Sequence, residues 1–271
     1  MNVISSSCKF QTFTKLVTVA CLAWAASLPA AAHDIVLVPE RGGVTVRYGH
    51  PQDWQVVDQR KLLEVQTYQG NGAAVEQLNV LKLSGLNYLL AANKLNPNQP
   101  LLVGARYDNG LWSRMPKISD AKPTSHNASR LMMPGADYVS NNLKFAKAIR
   151  VTAADEMLYK KPLGHMLELI PQRNPASLKP GEPLEVLVLF QGKPLAGAGI
   201  EVSNLVDKIE EEKIARYTTD ASGLASVKLR NKGVNMLGVD YERTNDGSLG
   251  EVAKAVGADK FVFVATYTFI R

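Results

Sequence analysis

Cysteine is nearly missing from this chain. Its two residues of that type, Cys8 and Cys21, both fall within the first 32 positions. From His33 onward no disulfide can form, and no thiolate can serve as ligand or nucleophile. Catalytic signatures are missing as well. No Gly-x-Ser-x-Gly turn, His-Glu-x-x-His helix or phosphate-cradling glycine loop occurs. The Ser125-His126 neighbours say nothing about a triad, which is a spatial arrangement. Aromatic residues are only 7% of the chain and do not interleave with basic ones, which argues against nucleic acid. Lys160-Lys161 reads as a solvated turn. No tandem repeat and no sustained 3.6-residue periodicity is present.

Long hydrophobic runs are also few. The one that stands out, Leu16 to Ala30, is shorter than the ~20 residues a spanning helix needs. Lys9 and Lys15 precede it, and Ala30 and Ala32 supply the small residues that a signal peptidase reads. These features predict a signal helix over residues 1–32, cleaved after Ala32, and export to a periplasm. No membrane span is expected after the cut. Cleavage removes two lysines and no acids, so the formal net charge falls from +6 to +4. That is a statement about solubility rather than about a polyanionic partner.

The remaining residues read as short β segments separated by turns. Ile35 to Val38, Val44 to Tyr48, Leu63 to Tyr68, Leu78 to Leu83, Tyr88 to Ala91 and Leu101 to Tyr107 are apolar, alternating or β-branched. Gly49-His50-Pro51 and Gly70-Asn71-Gly72 end two of them. Residues 108–141 carry prolines and polar residues and predict a long irregular loop, a place where function often sits. Leu143 to Val151 and Met166 to Ile170 return to strand. After the proline-rich stretch from Pro171 to Pro183, strands are expected at Leu184 to Phe190, Gly199 to Val202, Leu224 to Leu229, Gly233 to Asp240 and Phe261 to Ile270. Asp207 to Lys213 predicts a short helix, and Leu249 to Val256 a helical turn. The expected fold is all-β, in two β-sandwich domains: an N-terminal one over 33–170, and an immunoglobulin-like one over 171–271.

Four histidines follow residue 32: His33, His50, His126 and His165. All four sit beside glycines, at a terminus or in the irregular loop, positions that read as exposed. Cleavage after Ala32 gives His33 a free amine next to its imidazole, and together these chelate a metal. One or two further imidazoles would complete a nitrogen-rich square site, which suits Cu(II) or Ni(II). Their spacing is no local ligand motif, so assembly depends on the fold. Asp34 offers an oxygen. Met132, Met133 and Met166 read as packing residues.

The opening Ala32-His33-Asp34-Ile35-Val36-Leu37-Val38-Pro39, followed by Val44-Thr45-Val46-Arg47-Tyr48-Gly49-His50-Pro51, resembles the start of the NikM-like family. So do Leu143-Lys144-Phe145-Ala146-Lys147-Ala148 and Leu163-Gly164-His165-Met166-Leu167-Glu168-Leu169-Ile170-Pro171. Leu178 to Val188, Gly192 to Ala198 and Thr219 to Ala225 continue the likeness across the mature chain. These are exported domains associated with nickel and cobalt uptake. The resemblance implies two sandwich domains, a periplasmic location, and nickel or cobalt handling through His33, His50 and His165, with a membrane uptake system as partner. His126 lies where no likeness is seen. Three readings follow: a non-enzymatic metal-binding protein, with copper as the rival ion; a protein or glycan interaction module that presents the 108–141 loop; and a copper oxidase built on the terminal histidine.

Overall fold

The computed structural model describes residues 33–40, 43–51, 53–70, 72–75, 79–84, 87–91, 95–117, 123–152, 154, 157–205, 214–229, 232–250 and 257–271. The signal segment and its cut after Ala32 lie outside them. So do the helix expected at Asp207 to Lys213 and most of the helical turn expected after Leu249.

The strands, in chain order, are β1 (Asp34–Glu40), β2 (Gly43–His50), β3 (Asp53–Gln55), β4 (Leu62–Gln69), β5 (Ala73–Ala74), β6 (Asn79–Ser84), β7 (Asn87–Ala91), β8 (Leu101–Arg114) and β9 (Ser125–His126). Then come β10 (Tyr138–Arg150), β11 (Leu167–Pro171), β12 (Pro183–Phe190), β13 (Lys193–Pro194), β14 (Gly199–Asn204), β15 (Ala215–Thr218), β16 (Leu224–Lys228), β17 (Val234–Thr244) and β18 (Lys260–Ile270). Only three one-turn 3-10 segments interrupt them among the described residues. The protein is all-β, built as stacked sheets.

Three sheets result. One carries β1-β2-β7-β6, with β3 added to β2. The central one has nine strands, ordered β15-β14-β17-β18-β10-β8-β4-β5 with β9 on β8. The third is β11-β12-β13, with β16 on β12. Successive side chains of a strand point to opposite faces, and β8 and β10 use this to feed two cores. Leu101, Val103, Ala105, Tyr107, Ala146 and Ala148 pack against Ile35, Leu37, Val44, Val46 and Tyr48 of the first sheet. Leu102, Leu143, Phe145 and Ile149 pack on the other side, against Leu167, Leu169, Val186 and Val188 of the third.

Both faces of the central sheet are therefore covered along β10 and β18, so these strands are buried almost end to end, the polar residues of β10 included. Their pairing is parallel, with Ser140 opposite Lys260 and Ile149 opposite Phe269. β18 pairs antiparallel with β17 on its other edge. Strands from either side of position 170 thus share one sheet, and residues His33–Arg271 form one compact unit.

The irregular stretch expected over 108–141 is narrower than its prolines and polar residues predict. β8 continues to Arg114 and β10 begins at Tyr138, paired throughout. The apparent break at Asp108-Asn109-Gly110 is a bulge: Leu143 faces Asp108 and Asn142 faces Gly110, leaving Asn109 unopposed. Gly110 supplies φ +75°, and its N–H donates to Asp108 Oδ1 at 2.9 Å. A bulge re-aims the side chain of its extra residue, and Asn109 is consequently turned into the polar cluster described next.

Candidate functional site

His33 lies immediately before β1, and its surroundings follow from two strand pairings. Asp34 is opposite Gly49 in β1–β2, and His50 is opposite Asp53 in β2–β3. The start of β1 therefore meets the end of β2 and the short β3. Gly49 makes the tight return possible. It adopts φ +120°, and a Cβ there would stand 2.3 Å from the Asp53 carbonyl oxygen.

This convergence brings His33 and His50 together, with ring centroids 5.4 Å apart. The edge of the His33 ring meets Tyr48 at 5.6 Å. Its Nε2 lies 3.1 Å from the side-chain amide nitrogen of Gln55 and 3.8 Å from Asp53 Oδ2. Tyr48 stacks toward Tyr107 and donates to Asn109 Oδ1 at 3.1 Å. Lys61 Nζ reaches Asn127 Oδ1 at 3.2 Å, and Asn127 Nδ2 donates to the Asn109 carbonyl at 3.2 Å. A polar path thus runs from His33 through Tyr48 and Asn109 to the loop after β9.

The electrostatics are set by burial. Partial burial, then the nearby His50, lowers the His33 pKa, while Asp53 acts in the opposite direction. Burial raises Asp34 to about 7, against the pull of Lys144. Lys144 is fully buried, and its ammonium has no hydrogen-bond partner among the described residues. Burial lowers it to about 8, with Asp34 and Asp240 opposing. Burial also raises Tyr48.

The other two histidines lie elsewhere. His126, on β9, is exposed, and its Nε2 is 3.1 Å from Thr124 Oγ1. His165 is not the exposed turn residue that its glycine neighbour predicts. It is 7% exposed and packs 5.4 Å from Phe145, which faces the third sheet. Gly104 leaves it room, since a Cβ there would come within 3.1 Å of His165 Cε1. The central sheet lies between His165 and the His33–His50 pair, and burial lowers the pKa of His165 to about 4.

Among the described residues, no three or more His, Cys, Asp or Glu side chains form a group that would hold a metal ion. The donor set nevertheless suits a metal in a limited way. Two half-buried imidazoles approach each other, with the Asp53 carboxylate and the Gln55 carboxamide beside the His33 ring. Asp53, Gln55, Lys144, Tyr48 and Asn109 were not singled out by their residue types. The turn at Gly49-His50-Pro51, which returns the chain to pair as β3, is the feature that could have found Asp53 and Gln55.

Residues 30–243 match the family described as a domain of unknown function, DUF4198. The chain belongs to the DUF4198 family. A curated Haemophilus influenzae protein named "Uncharacterized protein" is 29% identical over 222 residues, covering 79% of this chain and 82% of that one. No solved structure matches the chain. The span shared with DUF4198 starts before His33 and takes in His50, Asp53, Gln55 and Lys144.

Proposed function

We propose that this DUF4198 protein is a non-enzymatic binder of a divalent transition metal, held by His33 and His50 at the start of β1. The observation that carries the reading is the 5.4 Å approach of these two rings. Processing after Ala32 would add the amine of His33, and amine plus two imidazoles make a nitrogen-rich set suited to Ni(II) or Cu(II). The likeness to NikM-like domains favours nickel or cobalt as cargo in a periplasm, passed to a membrane uptake system. Copper competes, because nitrogen donors bind it more tightly along the first row. His126 and His165 are no longer part of the proposed site.

The test is titration of the chain beginning at His33 with Ni(II), Co(II) and Cu(II), beside a chain with one extra residue before His33 and a His50→Ala variant. The reading expects one ion per chain, with binding weakened at least tenfold in both altered proteins. Equal affinity with the extra residue removes the amine from the site. No uptake by the processed, folded chain ends the reading.

A second reading has its own observation. Leu131 and Met132, on the loop between β9 and β10, are 92% and 71% exposed. Such neighbours suit a surface that docks onto another molecule. On that reading the protein is an interaction module, and the histidine pair is incidental.

A further inference from the structure

A histidine that chelates through its own amine must do so with Nδ1, the ring nitrogen nearer the backbone. Nε2 lies on the far side of the ring and cannot close that chelate. The proton of the neutral ring must then reside on Nε2, and an N–H in a half-buried ring is held there by an acceptor beside it. The groups placed around His33 Nε2 are therefore informative.

Two side chains of β3 face that nitrogen. Asp53 and Gln55 are two apart in a strand and so share a face. Trp54, between them, turns the other way and lies under Arg47, whose guanidinium carbon is 5.4 Å from its ring. The Gln55 carboxamide is 3.1 Å from His33 Nε2. A half turn of a carboxamide exchanges its nitrogen for its oxygen with no other movement. The neighbouring carboxylate decides between them. Asp53 Oδ2, 3.8 Å from the same nitrogen, can only accept, and its field favours an N–H over a lone pair there.

We infer that Asp53 and Gln55 are positioning residues that keep the proton of His33 on Nε2, so that Nδ1 presents its lone pair beside the chain end. The consequence for metal rests on the function proposed above; the tautomer does not. It also explains the use of so short a strand as β3, which pairs only Tyr48, Gly49 and His50. Its task is to carry two acceptors to one ring.

The experiment is long-range proton–nitrogen NMR of the processed chain without metal, at a pH where His33 is neutral. The Nε2–H form is expected in the wild type and in Gln55→Glu, whose carboxylate can only accept. In the pair Asp53→Ala with Gln55→Met, the signal should move to a mixture of the two forms. Far-UV circular dichroism of each variant confirms that it is folded. Titration of the same samples with Ni(II) and Cu(II) should show the double variant binding about 10–100-fold more weakly, the usual effect of removing such partners. Gln55→Glu should retain affinity. A wild-type ring in the Nδ1–H form, or an unchanged spectrum in the double variant, overturns the inference. Failure of the wild type to bind either ion overturns the proposed function instead, while the metal-free spectrum still decides the tautomer.

Discussion

Lys147 and Glu168 form an ion pair sealed between the central and third sheets. Lys147 Nζ is 2.9 Å from Glu168 Oε1, and each side chain is only 2% exposed. Every remaining polar atom is engaged. Lys147 also donates to the Lys161 carbonyl at 3.1 Å, and Glu168 accepts the N–H groups of Leu163 and Gly164. Burial lowers the Lys147 pKa, and Glu168 opposes that effect.

Removing one partner of this pair strands the other charge in a dry core. Glu168→Ala is expected to cost about 3–5 kcal/mol, the range for breaking a buried pair. Urea unfolding measures it. Adding Lys147→Met to that variant should recover part of the loss, because the uncompensated ammonium is then gone.

The buried His165 makes stability fall in acid. Its pKa in the folded protein, about 4, lies below the ordinary 6.5. The unfolded chain therefore binds more protons between those values, and stability drops as pH falls through the window. The full effect is on the order of 3 kcal/mol. Asp34, raised to about 7, opposes it, since its folded form keeps a proton that the unfolded chain has lost. The useful measurement is a comparison of unfolding free energy from pH 7 to pH 4 for the wild type and His165→Leu. The variant should lose the acid-sensitive component; parallel curves would contradict the assignment.

Gly49 links stability to the candidate site. A Cβ would press on the Asp53 carbonyl, and φ +120° is hostile to any other residue. Gly49→Ala should cost about 1–3 kcal/mol and move β3 away from His33. Thermal unfolding reports the first effect. Weakened binding of Ni(II) or Cu(II) by the folded variant at low temperature reports the second.

The exposed pair on the loop separates the two functional readings. Leu131→Ser with Met132→Ser should change stability by no more than about 0.5 kcal/mol, because neither side chain packs inside. Metal affinity should also stay unchanged. Loss of a partner from this double variant alone, with the histidines intact, would favour the interaction module.

Much of the fold was legible in the sequence, for a local reason. Alternation along Val44 to Tyr48 and Leu224 to Leu229 marks strands wherever one face is wet, and the apolar run from Phe261 to Ile270 marks a strand covered on both faces. Pairing was not legible. Nothing local in Leu143 to Ile149 says that its partner is β18 in parallel, so strands on both sides of position 170 proved to share one sheet. Lys144 and Lys147, three apart and so on opposite faces of β10, are both buried because sheets cover each side. At the candidate site, counting nitrogen donors singled out all four histidines alike, and the fold brings His33 and His50 together but not His126 or His165. His165 misled because Gly164 suggests an open turn, whereas its ring is accommodated by the missing side chain of Gly104 on a distant strand. Asp53 and Gln55 stayed hidden because their meaning depends on a return that only Gly49 permits.

The position of β18 has a consequence for biogenesis. Until residues 260–270 arrive, β10 and β17 each present a raw row of amide and carbonyl groups, and the core against the third sheet lacks Phe261, Phe263, Tyr267 and Phe269. A nascent or truncated chain stopped short of Lys260 is thus a template for aggregation. The pairing of Ser140 with Lys260 joins distant parts of the chain, the kind of contact that slows folding and lengthens that exposure.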